Sequence, residues 1–220
     1  VDEAIEECIQ AGVVTSASCL VYRDRIHAIP ECMRGKLGVH LRLTDGTPVL
    51  ANSPLAGPDG QFVRHPLDLP TFTLDDVLEE WTAQVIRFRE SGVSPTHLDS
   101  HHHVHAGFSG VYSWIAKRCE VAVVGFSPVM VQQFRASGLR CPDALYTGPL
   151  DLNDPQFQTM FDHGHHTVVM TAHPGRVDDE LRRKSHLTDR RQRELEFLRS
   201  FAFKQWRERE GVSLIGMAEL

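Results

Sequence analysis

The sequence predicts an α/β fold with a mostly parallel sheet, a distorted relative of the (β/α) barrel. Three observations carry this. Short apolar, β-branched runs alternate with amphipathic segments of helical period, the pattern of strands covered on both faces by helices. No Gly-rich phosphate loop follows the first strand-like run, which removes the support for a doubly wound dinucleotide-binding sheet. The residues with ligand or acid–base chemistry fall at the ends of strand-like runs, where barrels and open α/β sheets place their sites.

Val1-Asp2-Glu3-Ala4-Ile5 opens directly into a helical pattern, with Val1, Ala4, Ile5, Cys8 and Ile9 on one face and Gly12 as its C-cap. There is no initiating Met and no leading strand, so the chain reads as starting inside a domain. The run from Val13 to Tyr22 is the first strand. A helix-compatible stretch near 24–34 leads to a strand from Lys36 to Leu43. Residues 44–72 are rich in Gly, Pro, Asp and Asn and read as a long loop, of the kind that often carries function. Thr73-Leu74-Asp75-Asp76 caps a helix to about Glu90, stopped by Ser91-Gly92. Pro95 to Ser100 is a strand, 109–119 a helix, 121–126 a strand and 128–137 a helix. A Pro/Gly/Asp loop covers 141–154, then a short helix 155–162 and a strand from Thr167 to Thr171. The charged segment 188–210 reads as one helix ended by Gly211, and Val212 to Ile215 as the last strand. The whole, residues 1–220, is expected to be a single domain.

A chain of 220 residues buries a sizeable core. A net charge of −6 with no Lys/Arg cluster argues against nucleic acid and anionic membranes as partners. No apolar run approaches the length of a membrane span. The five cysteines are scattered, with no pair at metal-finger or redox spacing, and read as reduced thiols of a cytoplasmic protein.

The 13 histidines are many, and four of them fall within 101–105. The segment Thr96-His97-Leu98-Asp99-Ser100-His101-His102-His103-Val104-His105 ends a strand. Side chains alternate along a strand, so Asp99 and His101 point the same way. A carboxylate two residues before an imidazole either ligates a metal or fixes the histidine tautomer. His40 lies in a different strand, where a histidine by itself is more often a hydrogen-bonded core residue; it becomes a ligand if its strand ends beside His101. The apolar run 168–172 enters His173-Pro174-Gly175, a turn that holds an imidazole at the C-terminal edge of the sheet, suited to a general acid. Asp162-His163-Gly164-His165-His166 precedes that strand, at the wrong edge, and reads as a solvated loop.

Together these segments resemble the YdjC-like family of carbohydrate deacetylases. Gly38-Val39-His40-Leu41 is similar to its Gly-x-His-x segment, Pro95 through His105 to its long histidine signature, His173-Pro174-Gly175 to its later His-Pro element, and Arg191-Gln192-Arg193-Glu194-Leu195 to its Arg-x-x-Glu-Leu helix. The resemblance implies a TIM-like (β/α) barrel. It implies a divalent metal ion held by one Asp and two His, carried here onto His40 and His101, with His173 as an acid near the substrate. The implied activity is hydrolysis of the acetamide of an N-acetylated, GlcNAc-type sugar or chitooligosaccharide. Imidazole ligands suit Zn²⁺, and a mixed shell with carboxylate and water admits Mg²⁺.

The family's opening strand, ending in Ala-Asp-Asp-Phe-Gly, has no counterpart here. The expectation is therefore a distorted barrel without its first strand, with impaired metal binding and activity. Asp99 is the nearest substitute for the missing catalytic carboxylate. Open sheet edges are expected to be covered in a homodimer. The alternatives are a degenerate sugar-binding or regulatory module on the same fold, and another metal hydrolase, which would need more carboxylates and a basic clamp near His101.

Overall fold

The computed structural model describes residues 2–23, 28–65, 68, 72–162, 164–184 and 188–220. In chain order its elements are α1 (Asp2–Gln10), β1 (Ala17–Cys19), β2 (Leu37–Leu41), α2 (Leu74–Arg89), β3 (His97–Ser100), α3 (Ser109–Cys119), β4 (Ala122–Val123), α4 (Pro128–Ala136), β5 (Ala144–Tyr146), α5 (Pro155–Asp162), β6 (Val168–Met170), α6 (Asp179–Lys184), α7 (Thr188–Leu198) and α8 (Phe201–Glu210). Short 3₁₀ turns lie at Glu31–Met33 and Met217–Glu219, and a longer one at His101–Phe108.

The strands form two parallel sheets, one in the order β1-β2-β3-β4 and one pairing β5 with β6. The break between them is bridged by side chains. Ala122 and Val124 pack with Met217, and Leu145 of β5 and Val169 of β6 lie against that cluster. Parallel strands with intervening helices in two adjoining sheets make this an α/β fold of the distorted, TIM-like barrel kind that the sequence predicts.

Each helix is fixed by the side it buries. The α2 helix begins with a reciprocal cap: the Thr73 hydroxyl accepts the Asp76 backbone N–H, and the Asp76 carboxylate accepts the Thr73 backbone N–H at 2.7 Å. It then buries Val77, Trp81, Val85 and Phe88, a stripe of helical period. These side chains join Val39, Leu41, Leu98, Tyr112 and Phe134 in the larger core cluster. Each such fully buried side chain contributes roughly 1.5–3 kcal/mol relative to leaving it exposed. A second cluster packs Tyr146 with Phe157, Leu195, Leu198, Phe203 and Trp206, and takes Ala4 and Cys8 from α1.

Three expected elements differ. Val212 to Ile215 forms no ladder; Met217 instead docks by donating its backbone N–H to Ser16 Oγ at 2.8 Å. The sixth strand is β5, inside the stretch expected to be a loop. The predicted helix 188–210 is two helices, because Ser200 leaves the helical path and caps α8 by accepting the Phe203 N–H at 3.1 Å. Of the helix-compatible stretch near 24–34, residues 24–27 lie outside the described residues, as do 66, 67 and 69–71 of the long loop, and His163.

Candidate metal and acid–base site

The register of the first sheet builds the site. Ser18 pairs with Gly38 across β1 and β2, and His40 pairs with Asp99 across β2 and β3. Two residues back along both strands, His97 therefore lies beside Gly38. Ser18, Gly38 and His97 form one row across three strands, and His40 and Asp99 the next row on the same face. Gly38 is the gap in the first row. A Cβ there would sit 2.6 Å from three atoms of the His97 ring. Without it, Ser18 Oγ reaches His97 Nε2 at 3.0 Å across the middle strand.

Asp99 collects this row and the next. Its Oδ2 accepts the Ser18 hydroxyl at 2.7 Å, and its Oδ1 lies 2.7 Å from His40 Nδ1. Burial pushes the Asp99 carboxyl pKa up. The positive field and hydrogen bond of His40, the charge of His97 and the Ser18 hydroxyl together outweigh burial and bring it down to about 2. An ionised carboxylate only accepts, so His40 donates from Nδ1 and Ser18 donates its only hydroxyl proton to Asp99. His97 then donates from Nε2 to Ser18. In its neutral form the His40 ring, donating from Nδ1, carries its lone pair on Nε2. This is the carboxylate–histidine arrangement that orients a metal ligand. Burial lowers the His40 pKa, and the charge and hydrogen bond of Asp99 raise it by more.

His101 follows directly on β3 and opens the 3₁₀ segment. Its ring centroid is 5.4 Å from that of His40, so the two histidines expected to converge from separate strands do meet. Burial first, then the neighbouring charges of His102 and His40, bring its pKa down to about 4, against the opposing pull of Asp45. It is a neutral imidazole at neutral pH, the form that ligates metals. His102 and His103 take left-handed backbone conformations, φ 52° and 53°, which are uncommon for residues with a Cβ and gather at functional sites.

The sequence reading missed Asp45 and His102. His101 Nε2 lies 3.4 Å from Asp45 Oδ2, and the Thr44 hydroxyl holds His102 Nδ1 at 2.9 Å. One ligand atom from each of Asp45, His101 and His102 falls within 4.8 Å of the others. Asp45 arrives there because the turn 44–47 wraps a buried guanidinium: Arg42 donates to the carbonyls of Asp45, Thr47 and Val21 at 2.8–2.9 Å. Asp45 and Gly46 are both left-handed, φ 58° and 75°. The signal available in sequence was Asp-Gly after a strand, a turn pair, which names the turn but not its neighbours. Imidazoles, one of them fixed by a buried carboxylate, with a carboxylate at the edge of the group, are a donor set that fits a divalent cation.

Asp99, expected as the substitute for the missing catalytic carboxylate, has both oxygens engaged by the protein. His97 and His105 sit apart from the ligand group. His105 is buried, with Nδ1 2.5 Å from Ser100 Oγ and its ring stacked on Tyr112 at 4.7 Å. The histidine run thus divides into buried packing residues and a group at the strand end.

His173 follows β6. Its backbone N–H donates to Glu194 Oε2, and Arg190 holds the other Glu194 oxygen. Its Nδ1 is 3.9 Å from Glu194 Oε2, with no hydrogen-bond partner among the described residues. Burial lowers its pKa, Glu194 opposes this, and the charges of Arg191, Arg190 and His40 add to the lowering.

Residues 1–209 match the family described as YdjC-like protein. The chain belongs to the YdjC-like family. A relative from Oceanobacillus iheyensis named carbohydrate deacetylase is 27% identical over 224 residues, 94% of this chain and 93% of the relative. Another of the same name, from Geobacillus stearothermophilus, is 27% identical over 227 residues, all of this chain and 91% of the relative. A third, from Halalkalibacterium halodurans, is 28% identical over 220 residues, 90% and 89% of the two chains. Among solved structures, a protein of Enterococcus faecalis V583 proposed to cleave cellobiose phosphate superposes with a TM-score of 0.81 at 25% identity. That match covers 99% of this chain and 92% of the other. No described helix is long and apolar enough to cross a membrane.

Proposed function

We propose that this carbohydrate deacetylase is metal-dependent and hydrolyses the acetamide of an N-acetylated, GlcNAc-type sugar. The observation that carries the reading is the meeting of His40 and His101 from two strands, with His40 Nδ1 tied to Asp99 so that Nε2 is free to ligate. His101 would hold the cation together with His40, whose ring meets it from β2, and with Asp45 and His102, whose ligand atoms lie within 4.8 Å of its own. Zn²⁺ suits the imidazoles and Mg²⁺ the carboxylate and water that complete the shell. A bound divalent ion supplies a water of lowered pKa and polarises the amide carbonyl.

The remaining roles belong to the chain. Asp99 acts on His40, fixing its tautomer and ring plane, and serves the reaction through that residue. His173 is the acid–base group. Burial favours its neutral form, so it takes a proton from the attacking water and returns it to the amine as the C–N bond breaks, giving acetate and the free amino sugar. The buried Glu194 beside it favours the protonated intermediate form of the ring.

The test is acetate release from N,N′-diacetylchitobiose by the chain stripped with chelator and then supplied with Mg²⁺ or Zn²⁺. Activity is expected only with metal. His40→Ala and His101→Ala should lose both metal binding and turnover. His173→Gln should lower kcat about 10²- to 10⁴-fold with metal still bound. Full turnover in chelator, or in His40→Ala, would sink the proposal.

A further inference from the structure

Beside the histidine group lies an aromatic side chain that the mechanism above does not use. Phe126 stands in the loop between β4 and α4, at the C-terminal end of the strand next to β3. It is 45% exposed, and Val129, one turn on, is 64% exposed. An exposed aromatic ring in a loop that follows a strand, on the edge of the fold that carries the site, is placed where ligands bind.

The ring is also held. It stacks on His103 at 5.7 Å between centroids and 27° between planes, and meets His105 edge-on at 5.9 Å and 82°. His105 is immobilised by Ser100 and by stacking on Tyr112. His103, which stacks on it, takes the left-handed backbone conformation at φ 53°. A rigid aromatic plane half open to solvent is a surface of low conformational-entropy cost for a ligand.

We infer that Phe126 is a stacking platform for a pyranose ring of the substrate, adjacent to the ring whose acetamide is cleaved. The chemistry fits one class of ligand. A pyranose of equatorial substituents, such as GlcNAc, presents a face of axial C–H groups. These are weakly positive and meet the electron-rich face of an aromatic ring, while its hydroxyl groups point outward to water. The inference rests on the deacetylase reading for the sugar nature of the ligand, and it assigns a specificity residue that metal ligation and proton transfer leave open.

The experiment measures binding and turnover separately, with N,N′-diacetylchitobiose titrated into the metal-free chain and hydrolysed by the metal-loaded one. Three variants are compared: Phe126→Ala, Phe126→Leu and Phe126→Trp. Leucine keeps apolar bulk and removes the ring; tryptophan keeps a ring. Losing the stack should weaken binding and raise KM about 10-fold in the Ala and Leu variants, with kcat within about 3-fold. The Trp variant should bind within about 3-fold of the parent chain. If the Ala variant does not fold, the Leu variant decides. A folded Leu variant that binds as the parent does overturns the platform. Sugar binding without acetate release by the parent chain ends the deacetylase reading and leaves the platform to the binding data. Acetate release with unchanged KM in the Leu variant ends the platform alone. A parent chain that neither binds nor hydrolyses the sugar ends both.

Discussion

At the scale of single residues, the site depends on two that carry no ligand atom. Gly38 looks like a strand-weakening residue, yet its missing side chain lets Ser18 and His97 meet across β2. Gly38→Ala would force the buried His97 ring aside, and overpacking of this kind costs about 1–3 kcal/mol. Urea unfolding should show that loss, together with weaker metal binding as Ser18 and Asp99 lose their alignment. A variant as stable as the parent would mean the ring moves freely. Asp99 makes the complementary case. Asp99→Asn keeps the shape and removes the charge that orients His40, and losses of such partners typically cost about 10- to 100-fold in metal affinity. Titration with Zn²⁺ measures it, and an unchanged Kd would separate Asp99 from the metal site. The common face of Asp99 and His101 was legible in sequence because side chains alternate along β3, whereas His40 entered only on the condition that its strand ends beside His101 and through the family resemblance. The roles of Gly38 and Ser18 were not legible, because they depend on the register between strands, which the chain does not spell out residue by residue.

At the scale of elements, regular helices were legible and short strands were less so. The spans 109–119 and 155–162 read from periodicity coincide with α3 and α5, since amphipathic period and stop signals both act locally. By contrast, β5 is three residues long and sits among loop-forming residues, so its pairing comes from tertiary context. Asp143 supplies that context. Its Oδ2 accepts the backbone N–H groups of His166 and Thr167, both at 2.8 Å, and its Oδ1 accepts Arg135 Nη1 at 2.6 Å, which ties β5 to the approach of β6 and to α4. Burial raises the Asp143 pKa. The Thr167 amide, Arg135 and the His166 amide outweigh that and bring it down to about 2. A depressed carboxylate pKa stabilises the fold above the unfolded value near 4, and this contribution is lost as pH falls from about 4 toward 2. Asp143→Ala should therefore cost about 1–3 kcal/mol at pH 7, where it leaves two amides without an acceptor. The gap between variant and parent should narrow as pH falls below about 4. A gap independent of pH would show that the carboxylate charge contributes nothing.

At the scale of the whole molecule, two core clusters raise the question of whether the chain is one domain, as its sequence suggests, or two. The contacts argue for one. The α1 helix gives Ile9 to the larger cluster and Ala4 and Cys8 to the smaller. Glu7, on the same helix, holds Arg176 at 2.7 and 2.8 Å and Arg199 at 3.2 Å, both from the C-terminal half. The Met217 cluster then joins β4 to β5 and β6. Separating the halves would expose both faces of α1 at once, so neither half has a low-cost way to unfold alone. We predict a single cooperative transition, reported equally by Trp81 in the larger cluster and Trp206 in the smaller. The measurement uses a Trp114→Phe background in which one or the other tryptophan is kept, with fluorescence followed through a urea gradient. The two midpoints should coincide after correction for each tryptophan replacement. Ile9→Ala, which empties a buried site on α1, should cost about 2–5 kcal/mol and lower both midpoints together. A Trp206 signal that melts first, or an Ile9→Ala effect confined to Trp81, would show that α1 does not couple the clusters and that the chain folds as two units.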